Sequence, residues 1–198
     1  MKIWITRHGQ TSLNRAHLMQ GRTDEPLNET GLAQARAMRE VLLQNEPGLH
    51  FDAVYASPLI RAAVTGSVIG GVPLEDITIV VRLIEADFGR YELRRYYLLG
   101  PSMMLYWGIP SVFPAPPTVE NIPSMRQRAH AFLRDLEQRE GEYENVLIAC
   151  HGGIMRFLCG YLEDRPRGYR WYPKIRNCEV RVYETKNGQH CFLKQYRL

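Results

Sequence analysis

The chain has 198 residues, 45% of them hydrophobic, which is enough for one well-filled core and shows no composition break marking a second domain. A formal charge of +4 is mild and spread along the sequence, which argues against a nucleic-acid surface, and no apolar run reaches the length of a membrane span. The amino terminus lacks the regions of a signal peptide, and Cys150, Cys159, Cys178 and Cys191 show no C-x-x-C spacing, so a soluble, cytoplasmic protein with reduced thiols is expected.

Lys2 to Thr6 is an apolar-rich run that predicts a buried strand, and it ends in Arg7-His8-Gly9. Gln10 to Leu27 is polar and without a sustained period, so a loop across the rim of the strand ends is expected. Asn28 suits a helix N-cap, and Leu32, Ala35, Met38 and Leu42 then recur at helical spacing until Pro47-Gly48. Phe51 to Ala56 predicts a second strand, after which Ser57-Pro58 supplies a cap and a first-position proline for a helix with Arg61 in its first turn. Ile77 to Leu83, rich in β-branched residues, predicts a third strand that leads into Glu85.

Between Arg90 and about Pro123, prolines at 101, 110, 114, 116, 117 and 123 break any long element, with tyrosines, methionines and Trp107 among them. A cap inserted over the strand ends, about residues 90–123, is the expectation. From about Ser124 an amphipathic helix carries Ala129, Phe132, Leu133 and Leu136 back to the sheet. Val146 to Cys150 is then a second apolar run ending in a histidine and glycines, His151-Gly152-Gly153, followed by a helix with Ile154, Phe157, Leu158 and Leu162. Glu179 to Thr185 and Cys191 to Tyr196, joined at Asn187-Gly188, predict a hairpin. The alternation of strands and helices implies an α/β fold: a three-layer α/β/α sandwich, mostly parallel at its centre, forming one domain over residues 1–198 with ligand at the carboxyl edge.

Two strands that each deliver a His-Gly at the carboxyl end are hard to explain as core packing. Together with Gln10 to Asn14, Gln20-Gly21, Leu27 to Ala35, Ser57 to Thr65, the Glu85 region with Phe88-Gly89 and Glu92, and His151 to Arg156, they resemble the histidine phosphatase superfamily, the phosphoglycerate-mutase-like enzymes, in order and spacing. The resemblance implies that Asn14, Gln20, Gly21 and Gly152 contact the phosphate or leaving group. It also places Glu85 at the family's acid and base position, with Asp87 and Glu92 near enough in sequence to compete. Within the family the chain looks most like small phosphatases acting on α-ribazole phosphate, phosphosugars or a broad range of monoesters.

The residue types fit that chemistry. A phosphate monoester dianion repels a nucleophile, so its oxygens must be surrounded by positive charge and donors, which Arg7, Arg61 and His151 can supply. Arginine's planar fork bonds two oxygens at once. His8 must be neutral to attack phosphorus, and nearby cations favour that state. No metal or other cofactor is implied, since arginine and glycine stand where carboxylate and histidine ligands would be needed. A mutase should hold a second anionic group with basic residues of its cap, yet there is no lysine or arginine between Arg95 and Arg126, which favours hydrolysis of a small-molecule monoester. Arg94 and Arg95 could partly compensate. The stretch after Arg95 offers Tyr96, Tyr97, Met103, Met104, Tyr106 and Trp107 instead, which suits a partly apolar or aromatic organic group. Phosphoglycerate-type mutase and an inactive phosphate-binding protein are the alternatives, the latter disfavoured because a sensor has no use for His8 together with Glu85.

Overall fold

Both faces of the central strands are apolar, which requires a sheet covered on two sides. The computed structural model describes residues 1–110, 112–164 and 174–198. Its strands are β1 (Lys2–Arg7), β2 (Ala53–Ala56), β3 (Thr78–Ile79), β4 (Asn145–Cys150), β5 (Val180–Lys186) and β6 (Gln189–Tyr196), in one sheet of order β3-β2-β4-β1-β5-β6. The pairs β3/β2, β2/β4 and β4/β1 are parallel, whereas β5 and β6 run antiparallel. The helices are α1 (Ser12–Arg15), α2 (Glu29–Asn45), α3 (Ile60–Gly70), α4 (Pro101–Gly108), α5 (Ile122–Glu137) and α6 (Gly152–Leu162).

The period of two along the strands sorts the core. Ile3, Ile5, Val146, Ile148 and Cys150 join one cluster with Phe132 and Leu133 of α5 and Ile154 and Leu158 of α6. Their neighbours Trp4, Leu147 and Ala149 join the other, with Ala35, Met38 and Leu42 of α2 and Ala63 and Ile69 of α3. A mostly parallel sheet between two helical layers results. The chain leaves β1 toward β2 on one side of β4, and leaves β4 toward β5 on the other side of β1. The carboxyl ends of β1 and β4 therefore flank the point where the strand order reverses, where α/β sheets open a crevice.

Asn28 caps α2 as expected, accepting from the Gly31 amide at 2.8 Å. At the hairpin, Asn187 and Gly188 both have positive φ, 52° and 70°, as a two-residue turn of primed type requires. Three expectations need correction. The third strand is only Thr78–Ile79, because after Val80 donates to the Ala56 carbonyl the chain turns through a 3-10 segment, Val81–Leu83, toward the strand ends. Helix α3 begins at Ile60 after Leu59, not after Ser57, whose hydroxyl is engaged elsewhere. Within the expected rim loop, Thr11 accepts from the Asn14 amide and starts the short helix α1, an arrangement that polar periodicity alone does not signal.

The segment read as a cap, in which Ser111 lies outside the described residues, is tied to the body at its base. Met19 N donates to Arg94 O at 2.8 Å and Leu93 N to Met19 O at 2.7 Å. Met103 and Tyr106 of α4 are buried in the same core as α5 and α6. Tyr97 and Met104 face solvent, so Tyr96 and Trp107 are the members of that aromatic and methionine set that reach the cleft described next.

Candidate active site

The register of the two central strands pairs Arg7 with Cys150, so the next residues, His8 and His151, emerge side by side. Their ring centroids are 5.2 Å apart, and the His8 amide continues the ladder to Cys150 O at 2.9 Å. His8 Nδ1 lies 2.7 Å from Gly9 O, a carbonyl that can only accept, so Nδ1 carries the proton and Nε2 keeps its lone pair. His151 Nε2 lies 2.7 Å from Ser57 Oγ, at the end of β2. The Leu59 amide donates to the same oxygen at 3.3 Å. In the neutral tautomer whose Nε2 accepts the Ser57 hydroxyl proton, His151 carries its own proton on Nδ1.

Burial first, then the Arg61 and Arg7 guanidinium groups, hold His8 well below the ordinary imidazole pKa. The same causes, with His8 as a further neighbour, do so for His151. Burial lowers Arg61 to about 10, which leaves it charged at neutral pH. Arg61 Nη1 and Nη2 donate to the carbonyls of Thr23 and Gly21, both at 2.7 Å, while Arg7 Nη1 donates to Ile175 O at 2.6 Å. Backbone oxygens thus aim both forks before any ligand arrives.

The short loop that supplies Gly21 and Thr23 is held by Glu92, which accepts from the amides of Arg22 at 2.8 Å and Thr23 at 2.7 Å. Gly21 has φ of 49°, and a β-carbon there would stand 2.1 Å from Glu92 Oε1, so glycine is required for this approach. Glu92 is therefore a clamp for the loop. Asp87 is likewise occupied, by the Gly89 amide at 2.8 Å and by Arg22 at 3.4 Å.

Glu85 is placed differently. Its Oε2 accepts from Gly153 N at 2.9 Å, and its Oε1 from Ile154 N at 3.2 Å and Ala86 N at 2.9 Å. The carboxyl group thus sits on the first turn of α6, where free amides favour an anion. A β-carbon on Gly153 would fall 2.4 Å from Glu85 Oε1.

These groups surround a cleft of about 330 Å³. Arg7, His8, Asn14, Gln20, Gly21, Arg61, Glu85 and Gly152 all line it, with His151 buried beneath beside His8. Gln20 Oε1 accepts from Thr11 Oγ1 at 3.0 Å and from Asn14 Nδ2 at 3.2 Å. Buried polar atoms without a partner among the described residues include Arg7 Nε, Arg61 Nε, Gln20 Nε2 and His151 Nδ1. The two arginine Nε–H groups and the Gln20 amide nitrogen are donors, and donors left over around one cleft suit a ligand rich in oxygen atoms.

Phe88, Trp107 and Tyr96 form an aromatic wall, with Trp107 centroids 6.4 Å from Phe88 and 5.4 Å from Tyr96. Three neighbours escaped the sequence reading, the first being Asn177, whose Nδ2 donates to His8 O at 2.9 Å. Arg156 and Lys174 also line the cleft. Arg156, one helical turn after Gly152, could have been found from the helix period, whereas nothing local marks Lys174. Neither Arg94 nor Arg95 lines the cleft.

The sequence model of the histidine phosphatase superfamily (branch 1) matches residues 3–197. The chain belongs to this superfamily. Among its relatives, the adenosylcobalamin/alpha-ribazole phosphatase of Escherichia coli is 28% identical over 178 residues, covering 88% of this chain and 85% of that protein. The crystal structure of the alpha-ribazole phosphatase from Shigella flexneri superposes with a TM-score of 0.82 at 25% identity, covering 98% of this chain and 95% of the other. The phosphoglycerate mutase-like protein 4 of Arabidopsis thaliana is 27% identical over 207 residues, covering 94% and 80%. Phosphatase names among the relatives support phosphatase activity for this histidine phosphatase over the mutase alternative. No described helix is long and apolar enough to cross a membrane, and the four cysteines are free.

Proposed function

We propose that this histidine phosphatase hydrolyses small-molecule phosphate monoesters through a phosphohistidine on His8 Nε2, acting in the cytoplasm on free metabolites rather than on nucleic acid. The single observation that carries the assignment is the bond from His8 Nδ1 to Gly9 O, which leaves the lone pair of a neutral imidazole between two arginines. Nε2 attacks phosphorus, and the bond to the ester oxygen breaks. Arg7, Arg61, Asn14, Gln20 and the amide end of α6 at Gly152 hold the phosphoryl oxygens, with the Nδ1–H of His151 donating from below.

Glu85, as the acid, gives its proton to the departing alkoxide. The same carboxylate then takes a proton from water, whose oxygen attacks the phosphohistidine, and inorganic phosphate leaves with His8 neutral again. Asp87 and Glu92 do not compete, because Glu85 lines the cleft and they do not, each holding a neighbouring loop instead.

A panel of phosphomonoesters with phosphate release measured for each, joined to rapid acid or alkali quenching of the labelled protein, tests this reading. An alkali-stable, acid-labile phosphoryl label on His8 is expected during turnover. Turnover without such a label would reject the mechanism.

A further inference from the structure

Gln20 Nε2 is buried without a partner among the described residues, on a side chain that lines the cleft. The two ends of an amide side chain are nearly alike in shape and opposite in polarity, so something must turn the nitrogen rather than the oxygen toward the cleft. Two backbone groups with fixed roles decide it.

The first is the carbonyl of His8, which can only accept. It lies 2.9 Å from one end of the Asn177 amide, and that end must therefore be Nδ2. The second is the N–H of Thr11, which can only donate. Its nitrogen lies 3.3 Å from one end of the Asn14 amide, which is thereby Oδ1, and Asn177 Nδ2 donates to the same oxygen at 3.3 Å. Asn14 Nδ2 is then left to face Gln20, where it donates to Oε1 at 3.2 Å beside the Thr11 hydroxyl at 3.0 Å. With Oε1 so engaged, Nε2 is the end of Gln20 that remains.

Asn177 is itself firmly held. Glu179 N donates to Arg176 O at 3.3 Å across a tight turn in which Cys178 has φ of 55°. Cys178 N donates to Arg7 O at 3.0 Å and Arg7 N to Glu179 O at 3.3 Å, which fastens the turn to the end of β1. The buried Glu179 carboxylate accepts from Arg176 N at 3.1 Å and is paired with Arg181 and Arg197. Asn177 does not line the cleft, so any effect it has on a ligand passes through its neighbours.

We propose that Asn177 is a positioning residue that sets the polarity of the Asn14 and Gln20 amides, so that Gln20 presents a donor to a phosphoryl oxygen. In the reversed chain Gln20 would set its own oxygen against the anion and repel it. The inference deepens the phosphatase reading and rests on it for the ligand, but its test uses binding alone.

Inorganic phosphate is the probe. In the wild-type protein the side-chain amide signal of Gln20, followed by NMR, should shift as phosphate saturates the cleft. Gln20→Met removes the donor and should weaken phosphate binding by about tenfold or more, as for a hydrogen bond to a charged group. Asn177→Leu, close to asparagine in shape but without a donor, should also weaken it. The double variant separates positioning from a general structural role: in the Gln20→Met background Asn177→Leu should cost markedly less than it does alone.

Losses that multiply in full, or unchanged phosphate affinity in Asn177→Leu, would overturn the proposal. So would a wild-type Gln20 amide signal that phosphate leaves in place, a result that needs no variant to fold. Coupled losses with no hydrolysis of any monoester would keep the positioning role and reject the phosphatase, and hydrolysis with independent losses would do the reverse.

Discussion

The amide of Gly153 donates to Oε2 of Glu85 at 2.9 Å, tying the proposed proton donor to the helix that begins one residue after His151. Glu85 reaches this position through the 3-10 turn that cuts β3 short, so the loss of strand pairing and the placement of the acid are one event. Glu85→Gln should slow esters with poor leaving groups far more than nitrophenyl esters, whose leaving group needs no proton. Comparing kcat for the two ester types checks this, and equal slowing would make Glu85 structural.

His8→Ala should abolish turnover and the acid-labile label together, while phosphate affinity persists because the arginines remain. Retained activity in that variant would remove the nucleophile assignment. Phosphate binding measured alongside separates lost chemistry from a collapsed site.

Arg61, proposed to hold the phosphoryl oxygens, also holds the Gly21 to Thr23 loop. Arg61→Ala should therefore raise the barrier by about 2.7–4 kcal/mol, by analogy with losing one oxyanion donor, and loosen the loop as well. Hydrogen exchange at the Arg22 and Thr23 amides, which Glu92 accepts, reads the second effect. Arg7→Ala should match the first effect without the second.

Protonation gives a prediction of definite sign. His8 and His151 are held below the ordinary imidazole value of 6.5 by burial and by the arginines. As pH falls below that value, the unfolded chain takes up protons at both positions and the folded chain does not, so unfolding becomes more favourable. Each histidine contributes a slope of about 1.36 kcal/mol per pH unit, until its depressed folded value is reached. Chemical denaturation from pH 7 to pH 5 should show that decline, reduced in His8→Asn. Imidazole titration by NMR should place His8 below 6.5 in the intact protein and higher in Arg61→Gln, where one repelling cation is gone.

Much of this arrangement is legible in the sequence because its signals are local. The two runs ending in His8 and His151 are apolar on both faces, as buried parallel strands must be, and the glycines after them mark tight exits. Ser57 misled because a serine before proline has two uses, and an imidazole that adjoins it only in three dimensions claimed its hydroxyl. Ile77 to Leu83 reads as a strand by propensity, yet β-branched residues tolerate a turn where the chain must return over the strand ends. The aromatic residues after Arg95 divide among core, solvent and cleft according to which side of the 3-10 turn Tyr96–Leu98 or of α4 they occupy, which a proline-rich segment does not reveal. Lys174 is invisible because its neighbour Ile175 meets Arg7 across most of the chain's length.

His8 and Arg7 are borne by the end of β1, and Arg61 by the start of α3, all fixed by backbone register and carbonyl bonds. Phe88, Tyr96, Trp107, Arg156 and Lys174 reach the same cleft from five separate stretches of chain. Substitutions on those stretches can redraw which ester is accepted while the imidazole stays seated beside Cys150. Descendants of such a scaffold can inherit their reactivity intact and diverge in appetite, one wall residue at a time.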